Sequence, residues 1–245
     1  MAINFFCINL PTRQDRWINC EKQFKKQKIE VKRWNATPLP ENRRFGAWLS
    51  HREIIEHAQK NKWDYVWVFE DDVVFMRDKF IDFVDESLKT LKGKKWYILY
   101  FWWLVCRNGK LQKEKWFKWL FRVKWLMWTH AVIYNKEFYD IYLKLHPDKY
   151  SNRIKQLYIN NQYKALDEWM ALDFQNNFPC YITEFFLAGQ WDSFSNIEGK
   201  MIKGNLRAII RFNIYKYWFG WLAKIGGEVK NTLKTYLPGE RKNIF

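Results

Sequence analysis

The sequence feature that most constrains the fold is an apolar run that ends in three consecutive acids. Residues 65–69 are bulky and apolar, and Glu70, Asp71 and Asp72 follow them directly. An apolar run of this length predicts a buried strand. We do not expect three carboxylates to be buried with it, so the strand is predicted to deliver them to the rim of a sheet. Open α/β sheets bind ligands at that rim, outside the carboxyl ends of their strands.

The spacing of the acids predicts which of them act together. Glu70 and Asp72 are two positions apart, so on an extended segment they project to the same side, and Asp71 projects to the other. Carboxylate oxygens suit hard cations such as Mg²⁺ or Mn²⁺. We expect Asp72 to contact a divalent metal, Glu70 to contact the metal or a ribose, and Asp71 to hydrogen-bond the start of the helix at 48–60. The structural alternative is an acidic turn that caps the helix at 79–91.

Strand-like and helix-like segments alternate along the chain. The predicted strands are residues 3–10, 30–34, 65–69, 96–105, 131–134 and 181–187. The predicted helices are residues 12–28 with Thr12 as N-cap, 48–60, 79–91, 136–145 and 165–176, and a turn is predicted at 107–110. Such alternation predicts an α/β fold, with an open and mostly parallel sheet flanked by helices.

Charge divides the chain into a domain at residues 1–199 and a tail at 200–245. The net charge is +16, and the tail holds ten Lys or Arg against two Glu, so 10 − 2 = +8. Apolar residues recur in it at helical spacing: Leu206, Ile210, Ile214, Trp218 and Trp221. This profile predicts a basic amphipathic helix on an anionic membrane surface. The alternative is an ordinary helix that packs on the domain.

Two further patterns limit the class of protein. No run of 18 apolar residues occurs, so a transmembrane helix is not expected. The four cysteines form no CxxC pair, which makes a zinc site improbable and favours buried thiols in a reducing compartment. Together with the lack of a signal-peptide pattern, this predicts a cytoplasmic protein at the membrane periphery.

Several segments, in order along residues 3–198, resemble motifs of glycosyltransferase family 25. The segments are Phe6-Cys7-Ile8-Asn9-Leu10 with Arg13 and Arg16, Asn35-Ala36-Thr37, Gly46-Ala47-Trp48-Leu49-Ser50-His51, Phe69-Glu70-Asp71-Asp72-Val73, Thr129-His130-Ala131, and Gln190 with residues 192–197. The resemblance implies a GT-A-like fold and a metal-dependent, inverting transfer of a sugar from a UDP-sugar. Galactose is the implied sugar, and a glycan or glycolipid intermediate of lipopolysaccharide biosynthesis is the implied acceptor. An enzyme of this kind would be cytoplasmic and peripheral to the inner membrane.

The matched segments supply the candidate donor-binding residues: Asn9, Arg13, Arg16, Ser50, His51, Glu70 and Asp71. Arg13 and Arg16 lie near a helix N-terminus, which favours phosphate, although a solvated helix face would also explain Arg16. Helix capping would explain Ser50, and a core position would explain His51. His130 is either a metal ligand or a structural histidine.

An inverting transfer needs a base that takes the proton of the acceptor hydroxyl. Asp167 and Glu168, at a predicted helix start after a polar loop, are the candidates, and helix capping is the alternative for Asp167.

Two rival functions remain open. A nucleic-acid-binding protein would use the basic and aromatic surface, although we expect no nucleic-acid partner. A metal-dependent phosphoesterase or nuclease would use the carboxylates.

Overall fold

Eight strands form one sheet at the centre of the fold. The computed structural model describes residues 4–39, 43–101, 104–114, 119–127, 129–145, 165–183, 187–190, 193–195 and 200–202. The strands are β1 (Phe5–Asn9), β2 (Lys32–Asn35), β3 (Tyr65–Glu70), β4 (Val73–Phe75), β5 (Ile98–Tyr100), β6 (Leu104–Lys113), β7 (Leu120–Met127), β8 (Ala131–Asn135), β9 (Cys180–Thr183), β10 (Ala188–Gln190), β11 (Ser193–Ser195) and β12 (Lys200–Ile202). The large sheet has the order β2-β1-β3-β8-β5-β9-β7-β6, and β4 pairs with β10 and β11 with β12.

Helices cover both faces of the large sheet. They are α1 (Gln14–Lys26), α2 (Arg43–Lys60), α3 (Phe80–Leu91), α4 (Lys136–Leu145), α5 (Leu166–Trp169), a π-helical turn (Met170–Phe174) and α6 (Gln175–Asn177). Alternate residues of β1 serve opposite faces, as a strand requires. Phe6 packs in the core that holds α2 and α4, and Cys7 packs in the core that holds α1 and α3.

The pairing within the sheet is mixed. Strand β1 is parallel to β2 and β3, and β5 is parallel to β9. Strand β8 runs antiparallel between β3 and β5, and β7 runs antiparallel to β9 and β6. The α/β fold with helices on both faces of a large sheet is therefore confirmed, whereas the sheet is less parallel than the alternation of elements suggests. As a result, the ends of β1 and β3 and the beginning of β8 share one edge.

Several predicted boundaries are wrong. Helix α1 begins at Gln14, so its N-cap residue is Arg13 and not the predicted Thr12. The side chain of Arg13 makes no capping hydrogen bond. Helix α2 begins at Arg43, five residues before the predicted start, so Ser50 and His51 lie inside it. Phe45 adds one more buried apolar position to the face that carries Trp48 and Leu49, so the helix extends further toward its N-terminus than predicted.

The stretch between β5 and β8 departs most from expectation. The strand predicted at 96–105 is divided between β5 and β6, and the turn predicted at 107–110 lies inside β6. A register shift against β7, between Val105 and Lys110, accommodates that polar segment. An irregularity of this kind is tolerated at a sheet edge because one side of the strand has no partner to satisfy. The strand predicted at 181–187 ends at Thr183.

The predicted tail falls almost wholly outside the described residues. Its apolar stripe at 206–221 lies outside the described residues. Its first residues form β12, which pairs with β11. The predicted boundary at 199/200 thus falls inside a strand pair. Within the described residues, no helix combines the length and the apolar character needed to cross a bilayer.

Candidate metal centre

Two segments far apart in sequence bring three ligand-type side chains together at one edge of the sheet. Strand β3 ends at Glu70, and its antiparallel neighbour β8 begins just after His130. The backbone N–H of Glu70 donates to the carbonyl of His130 at 2.9 Å. One oxygen from Glu70, one from Asp72 and a ring nitrogen of His130 all lie within 4.8 Å of one another. This is a donor set suited to a divalent cation.

The imidazole of His130 bridges the two carboxylates. Its Nδ1 lies 2.9 Å from Oε2 of Glu70 and 3.2 Å from Oδ1 of Asp72. Burial lowers the pKa of His130, but the two carboxylates outweigh burial and hold it well above its ordinary value. Burial raises the pKa of Glu70, yet the nearby His130 and His51 keep it well below its ordinary value. The imidazole of His130 therefore lies between two carboxyl groups, and its raised pKa favours the protonated ring.

Asp71 faces away from this cluster, as the two-residue spacing requires. The expected hydrogen bond to the start of the helix at 48–60 is wrong: among the described residues, Asp71 accepts from Asn9, which follows Ile8, the partner of Glu70 on the parallel strand β1. Asn9 donates to Oδ2 of Asp71 at 2.6 Å, and Arg16 donates to Oδ1 at 2.6 Å. Burial raises the pKa of Asp71 to about 6, with Asp72 adding to the rise and Arg16 opposing it. Arg16 also lies 3.8 Å from Asp72, so one guanidinium group contacts both Asp71 and a member of the metal-ligand group.

Glu70 is oriented by residues on two different elements. Thr129 donates its hydroxyl to Oε1 of Glu70 at 2.8 Å. The Nε2 of His51, on α2, lies 3.9 Å from the same oxygen. The other ring nitrogen of His51 is 2.9 Å from the hydroxyl of Tyr134, on β8. His51 and Tyr134 are both buried.

The remaining candidate donor-binding residues have structural partners. Arg13 pairs with Asp15 at 2.8 Å and is partly exposed. Ser50 does not cap α2; it donates to the carbonyl of Gly46 at 2.8 Å and accepts from the N–H of Thr37 at 3.0 Å. A Cβ added to Gly46 would come within 2.8 Å of the Thr37 carbonyl oxygen. Gly46 and Ser50 thus hold the segment after β2 tightly against α2.

The two candidate bases differ in their surroundings. Glu168 accepts the backbone N–H of Ala165 at 3.1 Å, which is a capping role. Asp167 accepts the N–H of Glu168 at 3.0 Å. Burial raises the pKa of Asp167, the Glu168 hydrogen bond lowers it, and the charges of Glu70 and His130 raise and lower it respectively. Asp167 therefore lies within electrostatic range of the cluster.

The sequence identified most of this cluster and missed its supports. Glu70, Asp72 and His130 were candidates, as was His51. Tyr134 was overlooked because it reads as one more apolar position of a buried strand. Arg33 was overlooked too, although its guanidinium donates to Oδ1 of Asn9 at 2.5 Å. The pairing of β1 with β2 brings Arg33 to Asn9, and the packing of α2 against β8 brings His51 to Tyr134, so no local sequence signal marks either contact.

Comparison with known proteins adds little. The sequence matches no family model, and a comparison with curated proteins gives no match. Among solved structures, the chain is similar to A197 from STIV, with 15% sequence identity, a TM-score of 0.45, and coverage of 83% of this chain and 94% of that one. A TM-score this low does not establish a shared fold, so nothing about this chain follows from it.

Proposed function

We propose that this protein is a metal-dependent, inverting glycosyltransferase with a GT-A-like fold, which uses a nucleotide sugar as donor. The observation that carries the proposal is the convergence of Glu70, Asp72 and His130 at the edge of an α/β sheet. The donor of the proposed reaction carries a diphosphate, and a sheet edge with a cation site is where such a ligand is expected. The resemblance of the ordered motifs to glycosyltransferase family 25 supports the same class.

In this proposal Glu70, Asp72 and His130 hold a divalent cation such as Mn²⁺ or Mg²⁺. When bound, the cation supplies positive charge that stabilises the departing diphosphate. Arg16 balances the charge of Asp71 and Asp72, and it keeps the turn between β3 and β4 in place. Asn9 and Arg13, at the end of β1 and the start of α1, flank that turn and are the proposed contacts for the nucleotide.

Asp167 is the proposed base for the acceptor. Its burial and the nearby charge of Glu70 raise its pKa, and a carboxylate with a raised pKa is a better proton acceptor. Glu168, which is engaged by the N–H of Ala165, would instead stabilise the start of α5. The proposed acceptor is a glycan or glycolipid, and the basic tail would bring the enzyme to an anionic membrane where a glycolipid resides.

A metal-dependent phosphoesterase is the less favoured alternative. Two-metal phosphoesterases hold their two cations about 4 Å apart, so they need further ligands for the second cation beside the first site. Within the described part of the chain, Glu70, Asp72 and His130 form the one group with metal-ligand geometry. A sugar transfer needs a single cation beside the diphosphate, which this group can provide.

The test is a thermal-shift and transfer experiment on the full chain. UDP-galactose with Mn²⁺ should raise the melting temperature, by mass action, more than Mn²⁺ alone. Asp72→Asn should abolish that increment, whereas Asp82→Asn, which changes an exposed carboxylate on α3, should leave it unchanged. A screen of other nucleotide sugars covers the possibility of a different sugar. No increment with any nucleotide sugar, together with Mn²⁺-dependent hydrolysis of a phosphate ester, would replace this proposal with the phosphoesterase.

A further inference from the structure

We infer that Tyr134 and His51 form a buried relay that positions the Glu70 carboxylate for cation binding, and this inference rests on the proposed metal site. The relay runs from the core of the domain to the edge of the sheet. It links the Tyr134 hydroxyl to one ring nitrogen of His51 at 2.9 Å, and the other ring nitrogen to Glu70 at 3.9 Å. Neither Tyr134 nor His51 belongs to the metal-ligand group itself.

The packing of Tyr134 fixes the start of this relay. Its ring is fully buried and stacks on Phe138 with a centroid separation of 4.9 Å. The hydroxyl therefore has little freedom to move, and it points at Nδ1 of His51. Burial keeps the phenol protonated by raising its pKa well above the ordinary value. A phenol that donates to Nδ1 leaves the ring proton of His51 on Nε2, the nitrogen that faces Glu70.

The two oxygens of Glu70 consequently have different surroundings. Oε1 accepts from Thr129 at 2.8 Å and faces Nε2 of His51. Oε2 faces His130, 2.9 Å away, within the metal-ligand group. The hydrogen bond from Thr129 and the nearby Nε2 of His51 restrain rotation of the carboxylate and keep Oε2 directed at the metal-ligand group. Partners of this kind behind a metal ligand typically contribute 10- to 100-fold to affinity.

A purely structural role predicts something different. A buried tyrosine and a buried histidine satisfy each other's polar groups, which alone would explain their hydrogen bond. Loss of that bond would then lower the melting temperature and leave the affinity for a cation unchanged. The two explanations therefore separate in a measurement of Mn²⁺ affinity on folded protein.

The decisive variants use the geometry of amide side chains. The amide nitrogen of Gln reaches the position of the histidine Nε2, and that of Asn reaches the position of Nδ1. His51→Gln keeps a donor toward Glu70 and loses the partner of Tyr134. His51→Asn does the reverse. The relay predicts Mn²⁺ affinity near that of the wild type for His51→Gln and a loss of about 10-fold or more for His51→Asn.

Tyr134→Phe tests the first link with almost no change of volume. We expect it to weaken Mn²⁺ binding about 10-fold. Its control is Tyr142→Phe, which removes another buried hydroxyl from the same core, one bonded to the carbonyl of Trp48. That control should leave Mn²⁺ affinity unchanged. Affinity is measured by isothermal titration calorimetry with MnCl₂, and a thermal melt of each variant confirms that it is folded.

The outcomes distinguish the relay from the site on which it rests. Wild-type protein that does not bind Mn²⁺ would overturn the proposed metal site and the relay with it. Wild-type binding with equal affinity in Tyr134→Phe and His51→Asn would overturn the relay alone. If Tyr134→Phe does not fold, the order of His51→Gln and His51→Asn decides, because a merely structural pair gives both the same affinity.

Discussion

Glu70 and His130 are joined twice, once through the backbone and once through their side chains. The N–H of Glu70 donates to the carbonyl of His130 at 2.9 Å, and Nδ1 of His130 lies 2.9 Å from Oε2 of Glu70. The backbone bond belongs to the pairing of β3 with β8, so the sheet itself sets the separation of the two side chains. The proposed metal site is therefore largely formed before any cation binds, which limits the conformational cost of binding.

Removal of a ligand should abolish cation binding without unfolding the protein. His130→Gln removes the ring nitrogen between Glu70 and Asp72, and we expect Mn²⁺ affinity to fall by at least about 100-fold, the upper range for loss of a supporting residue. Excess EDTA should likewise abolish transfer, and Mn²⁺ should restore it. Calorimetric titration measures the affinity, and His57→Gln, an exposed histidine on α2, is the matched control. Full transfer activity in EDTA would contradict the metal assignment.

Cation binding should strengthen as the pH rises. Carboxylates raise the pKa of His130, so near neutral pH a cation must displace a proton from it. Affinity should rise about tenfold per pH unit below that raised pKa and level off above it. Glu70, whose pKa is lowered, stays ionised throughout. Titration in two buffers of different ionisation enthalpy should reveal about one proton released per cation, and a pH-independent affinity would argue against His130 as a ligand.

The metal-free protein should show the opposite trend in stability. A histidine whose pKa is raised on folding stabilises the native state fully below its unfolded pKa, about 6.5. That contribution is lost as the pH rises through the higher folded value. Urea unfolding in EDTA at a series of pH values should show this decline, and His130→Gln should lack it.

Arg16 should be important for stability because it is paired with two buried acids. Its side chain is 16% exposed, and those of Asp71 and Asp72 are 9% and 5% exposed. Arg16→Met leaves the buried carboxylates of Asp71 and Asp72 without their arginine partner. We therefore expect the free energy of unfolding to fall by about 3 kcal/mol. Lys25→Met, which breaks an exposed pair with Glu21, is the control and should cost less than about 1 kcal/mol. Adding Asp71→Asn to Arg16→Met should recover part of the loss.

Substitutions of Asp167 and Glu168 should have different effects on the rate of sugar transfer. Asp167→Asn is expected to lower the transfer rate by ~10²–10⁴-fold with little change in UDP binding, as for loss of a general base. Glu168→Gln should retain both transfer and most of the stability, since its amide oxygen can still accept the Ala165 N–H. Single-turnover transfer and a thermal melt of each variant provide the comparison. Near-normal transfer by Asp167→Asn would remove it from the proposed mechanism.

The basic amphipathic pattern of the tail predicts that the protein binds anionic membranes. Truncation after Ile202 retains the residues of β11 and β12 and removes the predicted basic amphipathic helix. The truncated chain should no longer sediment with phosphatidylserine vesicles, because each basic residue near such a surface contributes about 1 kcal/mol. It should keep its cooperative melt and its activity on a soluble acceptor. A truncated protein that aggregates, with a full-length protein that ignores vesicles, would show instead that the tail packs on the domain.

The sequence by itself determined the local features of this protein. The apolar run before Glu70 marked β3, and the two-residue spacing placed Glu70 and Asp72 on one side and Asp71 on the other. These features follow from the period of an extended chain, which needs no knowledge of distant residues. The same local logic gave the alternation of strands and helices, and so the α/β class.

Only the tertiary structure decided which distant residues meet. His130 joins Glu70 because β8 enters the sheet antiparallel beside β3, and Asn9 meets Asp71 because β1 runs parallel on its other side. Strand order and direction arise from the packing of whole elements, so the pattern within one segment does not contain them. Tyr134 illustrates the limit: its sequence context indicates a buried strand, and only the packing of α2 against that strand turns its hydroxyl into a partner of His51.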